Sequence, residues 1–225
     1  MSTRGNCMFV ITQSTKDIQV THFIQDKTGF GRVIKQGHST SRFIVQDNKN
    51  TYTTTHTFNG NTVTPTKMES FKKFMEMFIK NSSNYSITPI SVWRTTPSCN
   101  DAWISGFTDA EGCFTCSTTG NSTAYRFRFM TSQKNEKNKC VTDHIAFTTN
   151  GKVRPHSIQG VYETTVNGIC NNKGVVQYFD KYKTYTKKAS SYTTWKEVSE
   201  DTKDGKHTSE STRTIMKEKV MKINS

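Results

Sequence analysis

The spacing of apolar and polar residues predicts alternating strands and helices over most of the chain. Alternating runs at 9–13 and 125–133 are typical of strands with one buried face. Four apolar residues at helical spacing predict an amphipathic helix over 65–79. The further predicted strands are 32–35, 42–46, 113–117, 152–156 and 161–166, and the further predicted helices are 15–27, 48–57, 101–111, 136–149, 174–185, 190–199 and 209–221.

The same order of residues occurs twice, at an offset of about 120 positions. Matching pairs include Phe9 with Phe129, Gln13 with Gln133, Phe58 with Phe179, Lys67 with Lys188, Ser70-Phe71 with Ser191-Tyr192, and Phe74 with Trp195. An ordered series of this kind predicts two copies of one mixed helix and strand unit, and therefore an α+β fold. We expect an N-terminal repeat at 1–80, a linker rich in Ser, Asn, Thr and Pro at 81–100, a C-terminal repeat at 101–200, and a charged tail at 201–225.

Charge indicates the class of partner. The net charge of +13 and the pI near 9.5 favour a polyanion such as nucleic acid. No apolar run approaches the ~18 residues that a membrane span needs, so we expect no membrane partner. The first ten residues resemble neither a secretory signal nor an Arg-rich leader, and import from the cytosol is therefore not expected.

Two of the six cysteines form a CxxC pair, Cys113 and Cys116, which could indicate zinc. No second pair of ligands accompanies it in the sequence. Residues three apart on a strand also face opposite sides, so the pair is poorly placed to share one ion. Zinc is therefore the less favoured reading of these cysteines.

Leucine is absent from the chain, while about one residue in six is threonine. Threonines occupy positions where the hydrophobic pattern predicts leucine. One mitochondrial genetic code, that of some yeasts, reads CUN leucine codons as threonine. We therefore predict that many of these threonines are leucines in the functional protein. We expect such threonines to point inward, with hydroxyl groups short of partners; the alternative is that threonine is the true residue and the protein is marginally stable. The candidates are Thr21, Thr28, Thr57, Thr62, Thr142, Thr148, Thr184 and Thr194.

The central stretch of the chain is 103–114, WISGFTDAEGCF. Asp101 can cap the start of a helix there, and Gly112 can stop it. Asp109 and Glu111 lie at the C-terminal end of that helix, where the helix dipole disfavours anions. A solvated helix end is one reading; the other is that a cation offsets the two acids, and a hard divalent metal suits oxygen ligands.

Residues 104–112, ISGFTDAEG, resemble the signature motif of the LAGLIDADG homing endonucleases and maturases, in the form found in two-repeat enzymes of organelle introns. The resemblance implies two pseudo-symmetric αββαββα repeats, with the motif helices paired at the centre and antiparallel sheets forming a basic DNA-binding saddle. It also implies that the last acid of the motif, Glu111, binds a catalytic metal, taken here as Mg²⁺. Asp109 is the second candidate ligand, although it is better suited to supporting the helix end.

The resemblance suggests further catalytic residues in both repeats. Gln133 and its mate Gln13 would position water or phosphate at the edge of the site, or be ordinary strand-end amides. Lys188 and its mate Lys67 would polarise the attacking water or stabilise phosphate charge, or be solvated lysines; the adjacent Lys187 leaves the register open. Strand residues would read DNA in the major groove, or simply form the solvent face of a half-buried sheet. The proposed DNA-binding residues are Arg32, Gln36, Arg42, Gln46, Arg126, Arg128, Lys152 and Arg154, with His156 at the end of that strand.

When the repeat offset is applied to Glu111, its mate falls before Met1. We therefore expect the first repeat to lack its motif helix, the acid of that helix and its first strand. Three functions remain open: a sequence-specific, metal-dependent DNA endonuclease of intron homing, an RNA maturase that assists splicing of its host group I intron, and an inactive fragment. The expected partners are double-stranded DNA and, for the maturase, host intron RNA. In its complete two-repeat form the protein would be a monomer, located in the mitochondrion or another organelle.

Overall fold

The computed structural model describes residues 7–82, 84–90, 96–118 and 123–224. The chain forms two compact units, Met1–Thr96 and Pro97–Ser225. Part of the predicted linker, at 83 and 91–95, lies outside the described residues, as do the first six positions. Within the described ranges, no helix has both the length and the apolar composition to cross a bilayer.

The first unit is a three-stranded antiparallel sheet with helices. Its elements are β1 (Phe9–Ser14), a 3₁₀ turn (Thr15–Asp17), α1 (Ile18–Thr28), β2 (Arg32–Gln36), β3 (Thr40–Val45), α2 (Asn48–Phe58) and α3 (Pro65–Asn81). The strand order is β1-β3-β2. Phe43 and Val45 are buried on β3, and Met75 and Phe78 on α3, as the amphipathic pattern of α3 predicts.

The second unit is a four-stranded antiparallel sheet with helices. Its elements are α4 (Trp103–Glu111), β4 (Gly112–Thr118), β5 (Tyr125–Lys134), a 3₁₀ turn (Glu136–Asn138), α5 (Lys139–Thr149), β6 (Lys152–Pro155), β7 (Val161–Asn167), α6 (Lys173–Lys181), α7 (Lys188–Lys203), a 3₁₀ turn (Lys206–Thr208) and α8 (Glu210–Lys222). The strand order is β4-β5-β7-β6.

The two units repeat one topology. The order β1-β3-β2 corresponds to β5-β7-β6, and the register agrees, because Phe9 pairs with Val45 as Phe129 pairs with Val166. The described part of the first unit contains no counterpart of α4 or β4. The predicted α+β class with antiparallel sheets is confirmed.

The core of the second unit lies between the sheet and its helices. Alternation along β5 directs Phe127 and Phe129 to the same side as Phe114 of β4, and all three are fully buried. Trp195 of α7 packs against Phe114 and Phe127 at centroid distances of 5.5 and 5.9 Å. Each such side chain contributes about 1.5–3 kcal/mol through burial, and this packing holds α7 against the strands.

One helix boundary differs from its prediction in a way that matters for the site. The predicted helix 174–185 ends at Lys181, and α7 starts at Lys188 instead of 190. The backbone between them turns away from helical geometry at Tyr182, and its amide groups bond to a side chain of α4, described below. A contact between residues so far apart in sequence is invisible to a local pattern.

The candidate threonines were expected to point inward with unpartnered hydroxyls, and only part of this is observed. Of the eight candidates, Thr21, Thr142 and Thr184 are buried, three more are half-buried, and Thr28 and Thr57 are exposed, so the inward orientation is wrong for those two. We expected these hydroxyls to lack hydrogen-bond partners, and for six candidates that was wrong. Their hydroxyls donate to the backbone carbonyl three or four residues earlier, an acceptor that a helix provides. These belong to Thr21, Thr28, Thr57, Thr62, Thr142 and Thr148.

Other threonines agree better with the idea. Thr51, Thr54 and Thr55 form the buried face of α2, at the spacing of an amphipathic helix. The buried hydroxyls of Thr51, Thr108 and Thr131 have no hydrogen-bond partner. The hydroxyls of Thr54 and Thr55 do have partners, since they donate to the carbonyls of Asn50 and Thr51.

Candidate active site and nucleic-acid interface

The motif helix α4 is anchored at its start and along one face. The carboxylate of Asp101 accepts a hydrogen bond from the amide of Trp103 at 2.8 Å, so the predicted cap is present. On the inner face, the Ser105 hydroxyl donates to the carbonyl of Lys183 at 2.7 Å, and its amide donates to the Tyr178 hydroxyl at 2.9 Å. Gly106 is exposed on the other face, and a Cβ there would meet no atom within 4 Å.

Gly112 ends α4 because of a close approach. Its φ of −102° and ψ of 168° are extended, so the left-handed geometry of a usual glycine stop is absent. A Cβ at this position would lie 2.7 Å from Cγ2 of Thr108 and 2.9 Å from its Cα. Glycine therefore lets the chain pass directly from α4 into β4.

Asp109 is fully engaged in hydrogen bonds. Oδ2 accepts from the amide of Tyr185 at 2.8 Å, while Oδ1 accepts from the amide of Thr186 at 3.0 Å and from its hydroxyl at 2.6 Å. These donors immediately precede α7, where the helix dipole favours a negative charge. Asp109 therefore fastens the end of α4 to the beginning of α7.

Lys188 makes the reciprocal contact. Its Nζ donates to the carbonyl oxygens of Thr108 and Asp109 at 2.8 and 2.9 Å, which are orphan acceptors at the C-terminal end of α4. A cation is favoured there by the dipole. Lys188 thus places a positive charge at the end of α4, and its predicted catalytic role stays a prediction.

Glu111 is the acid that remains available. It is exposed, and among the described residues its carboxylate accepts no hydrogen bond and forms no ion pair. No group of three or more His, Cys, Asp or Glu side chains that could hold a metal occurs in the described ranges. Mg²⁺ commonly takes one or two carboxylates and completes its shell with water and substrate phosphates. The single free carboxylate of Glu111 is therefore suited to a Mg²⁺ ion that also binds substrate phosphate, and it is not sufficient for a site built from protein ligands alone.

The predicted glutamines and the second predicted lysine each have a defined place within their own unit. Gln133 is the penultimate residue of β5, two positions beyond Thr131, which pairs with Gly112 directly after α4. Its Oε1 accepts from Asn138 Nδ2 at 3.4 Å. Gln13 occupies the corresponding place on β1, paired with Ser41, and Lys67 is exposed in the first turn of α3.

The predicted basic residues of the second unit share one face of the sheet. Arg126 and Arg128 alternate with the buried phenylalanines of β5, and Lys152 and Arg154 lie on the neighbouring edge strand. Together they line a shallow depression of about 290 Å³. The Nε of Arg128 is buried and has no hydrogen-bond partner among the described residues.

This face adjoins the end of α4. Burial raises the pKa of the half-buried Cys113 thiol, the positive charges of Lys188 and Arg128 act in the opposite direction, and Glu163 adds to the rise. Cys113 thus lies in one electrostatic neighbourhood with Lys188 and Arg128. Glu111 immediately precedes β4, two positions before Cys113 along the chain.

The first unit presents a comparable face. Arg32, Gln36 and Arg42 have the same strand alternation, and the Arg32 guanidinium donates to Oε1 of Gln46. The structure therefore brings together all four predicted residues of this unit. Within each unit the predicted basic set forms one surface.

Sequence reasoning missed several residues at the site. Tyr185 and Thr186 donate to Asp109, and Glu163 lines the basic depression, where the hydroxyl of Thr165 donates to its Oε1 at 2.9 Å. The period-two alternation of β7 could have located Glu163. No local signal pointed to Tyr185 or Thr186, because their role depends on a residue 76 or 77 positions away.

The CxxC cysteines do not face each other. Cys113 pairs with Met130 on the polar face, and Cys116 pairs with Phe127 on the core side. Burial raises the pKa of Cys116 to about 12, which disfavours the thiolate that zinc requires.

Comparison with known proteins places this geometry in a family. Residues 104–199 match the LAGLIDADG endonuclease family. The probable intron-encoded endonuclease 4 of Neurospora crassa is 35% identical over 210 residues, which cover 90% of this chain and 37% of that protein. An uncharacterized cox1 intron-2 protein of Schizosaccharomyces pombe is 22% identical over 216 residues, covering 90% of this chain and 62% of its own. The chain thus spans less than two thirds of the length of either relative.

Solved structures agree with the fold. The LAGLIDADG homing endonuclease I-GzeII in complex with its DNA target superposes with a TM-score of 0.85 at 17% identity, covering 97% of this chain and 88% of that one. The meganuclease I-AabMI bound to uncleaved DNA gives 0.79 at 20% identity, covering 96% and 89%. Residues 104–199, which include the motif helix, the sheet and α7, are thus the part of this chain that matches the LAGLIDADG endonuclease family.

Proposed function

We propose that the protein is an intron-encoded, sequence-specific DNA endonuclease that hydrolyses phosphodiester bonds with a divalent metal, Mg²⁺ in the cell. The observation that carries the proposal is the free, exposed carboxylate of Glu111 at the end of a helix whose other charged groups are all engaged. The basic surface that adjoins it supports a DNA substrate. The relatives named for introns, one of them a cox1 intron, support a location in the mitochondrion.

Glu111 would hold the metal together with phosphate oxygens and water. When bound, the ion would activate a water molecule and neutralise the leaving oxygen. One of the structural relatives was crystallised on uncleaved DNA in the presence of calcium ions, which supports a metal requirement in the family.

The protein's own residues would organise this end of the helix. Lys188 and Asp109 position Glu111 by fixing α4 to α7, and Lys188 brings a positive charge near the reacting phosphate. Gln133 would orient water or phosphate from the end of β5. Arg126, Arg128, Lys152 and Arg154 would bind phosphates and read base edges in the major groove.

RNA maturation is the second candidate. Glu111 is the one motif acid left free in the described ranges, and binding an intron RNA does not require a pair of acids. The basic face would suit either nucleic acid.

A direct comparison separates the two functions. The protein is incubated with its intronless DNA target and, separately, with the host intron RNA, in Mg²⁺ at matched ionic strength. We expect metal-dependent DNA nicking and weaker, unselective RNA binding. Stimulated splicing without DNA nicking would overturn the endonuclease proposal in favour of the maturase.

A further inference from the structure

Glu163 of β7 is the one acid among the described residues that line the basic depression of the second unit. Its neighbours Thr164 and Val166 are buried in the core, so strand alternation directs Glu163 to the opposite, polar face of the sheet. Its strand lies between β5 and β6, which carry the basic residues of that face. The basic residues that line the same depression are Arg126, Arg128, Lys152 and Arg154. A carboxylate therefore lies in the middle of a surface whose charge is otherwise positive.

The carboxylate of Glu163 is not held by an ion pair. In the part of the chain that the structure describes, no lysine or arginine forms a salt bridge with it, although Arg154 lies directly opposite on β6. Its Oε1 accepts one hydrogen bond, from the Thr165 hydroxyl at 2.9 Å. Thr165 lies two positions along the same strand and on the same face, so this bond holds the carboxylate at the surface of the sheet. Oε2 is left for a further donor.

The chemistry of DNA limits which donor that is. A negative charge weakens the attraction of this face for phosphate, so phosphate contact does not account for an acid here. The amino groups that DNA presents in the major groove are N4 of cytosine and N6 of adenine. Adenine also presents the acceptor N7 beside N6, which repels a carboxylate, whereas cytosine presents only its amino donor. A carboxylate on the groove-facing side of the sheet therefore suits cytosine.

The corresponding position of the first unit carries the opposite charge. Val45 of β3 and Val166 of β7 occupy the same register in their sheets. Arg42 lies three positions before the first of these valines, and Glu163 lies three positions before the second. The repeat topology thus accommodates an arginine at this place, and an arginine there would strengthen binding to any sequence. The acid in the second unit serves selection among sequences instead.

We propose that Glu163 is a specificity-determining residue that reads one cytosine in the major groove. Its Oε2 accepts a hydrogen bond from cytosine N4, while the Thr165 hydroxyl fixes Oε1. The surrounding basic residues supply the attraction for the phosphates, which carries no sequence information. The inference rests on the proposed DNA substrate and adds to it the identity of one base.

Three variants separate base recognition from a general effect of charge. Glu163→Gln keeps the shape of the side chain and an oxygen for the Thr165 hydroxyl, and glutamine suits N6 and N7 of adenine. Glu163→Ala removes the group altogether. Glu218→Gln, at an exposed position of α8, removes the same charge on a helix and serves as the control. Thermal unfolding midpoints establish that each variant is folded.

Selection from a randomised duplex DNA library, without divalent metal and at fixed salt, measures the base preference at each position. We expect the unsubstituted chain to enrich cytosine at one position, where Glu163→Gln enriches adenine and Glu163→Ala enriches no base. Glu163→Ala should bind the selected duplex about tenfold more weakly. The same variant should bind unselected duplex more tightly, because a negative charge is gone from the face. Glu218→Gln should leave every preference unchanged.

The outcomes distinguish this inference from the proposed function. Base preferences that stay the same at every position in Glu163→Gln would overturn the inference alone. So would equal gains in affinity of Glu163→Ala for selected and unselected duplexes, since charge without base contact gives that result. A change at a position where the unsubstituted chain prefers another base would overturn the assignment to cytosine. Absence of any enriched sequence with the unsubstituted chain would overturn sequence-specific recognition itself, and the proposed function with it.

Discussion

The ammonium group of Lys188 lies 2.8 Å from the carbonyl oxygen of Thr108, one turn before the end of the motif helix. Together with the three bonds that Asp109 accepts from Tyr185 and Thr186, it couples the C-terminal end of α4 to the N-terminal start of α7. Each helix end thus receives the charge that its dipole favours. Glu111 is left free at the end of a rigidly held helix.

Loss of either half of this coupling should destabilise the second unit. Asp109→Asn replaces an oxygen that accepts from an amide by a donor, and Lys188→Met removes two charged hydrogen bonds. Hydrogen bonds to charged groups contribute about 1.5–3 kcal/mol each, and the half-exposed lysine should be at the low end. Thermal or urea unfolding measures the change, with Lys203→Met, at an exposed position in the last turn of α7, as the control. Equal stability of Lys188→Met and the unsubstituted chain would contradict the coupling.

The basic face should dominate the salt dependence of nucleic-acid binding. Arg126→Ala or Arg128→Ala should lower the slope of log affinity against log salt by about 0.9 for each phosphate that is no longer neutralised. Lys217→Ala, on the exposed side of α8, removes the same charge elsewhere and serves as the control. Fluorescence anisotropy at several salt concentrations gives the slopes. A control slope that falls as much as those of the arginine variants would show that only net charge matters.

Two buried threonines should respond in opposite directions to the same substitution. The hydroxyl of Thr131 is buried and unpartnered, so Thr131→Val should stabilise the fold by about 1 kcal/mol. The hydroxyl of Thr164 donates to the carbonyl of Thr142 at 2.7 Å, so Thr164→Val should cost about 0.5–1.5 kcal/mol. Chemical denaturation measures the change in the free energy of unfolding for each variant. Changes of the same sign would contradict the hydrogen bonding assigned to these two hydroxyls. Peptide mass spectrometry of the natural product decides whether these positions are threonine or leucine.

Cys116 should be slow to alkylate. Its pKa is raised to about 12 by burial, so almost none of it is thiolate at pH 8, whereas the thiols of Cys140 and Cys170 are exposed. Iodoacetamide labelling followed by mass spectrometry should modify the exposed pair first. Modification of Cys116 at their rate, in folded protein, would contradict the burial.

Local patterns predicted the strands, the amphipathic α3 and the internal repeat, because period-two and helical spacing are properties of neighbouring residues. The pattern also placed Arg126 and Arg128 on one face, since alternation directs them away from Phe127 and Phe129. It left Lys187 and Lys188 unresolved and misplaced the end of α6, because both depend on contacts with α4 about 80 residues earlier. The helix dipole predicted a cation near Asp109, but the contact that Lys188 makes with the end of α4 has no local signal in the sequence.

The central claim is that Glu111 is the carboxylate that serves a DNA-cleaving metal. Relaxation of a supercoiled plasmid carrying the target, in Mg²⁺, tests it most directly, because nicking of one strand is sufficient to score. With a single free motif acid among the described residues, we expect the chain to nick without cutting both strands. Glu111→Gln should abolish nicking while DNA affinity stays within about twofold, since one rim charge contributes little to binding, and Glu218→Gln on α8 should change neither. Nicking by Glu111→Gln at the unsubstituted rate would contradict the account.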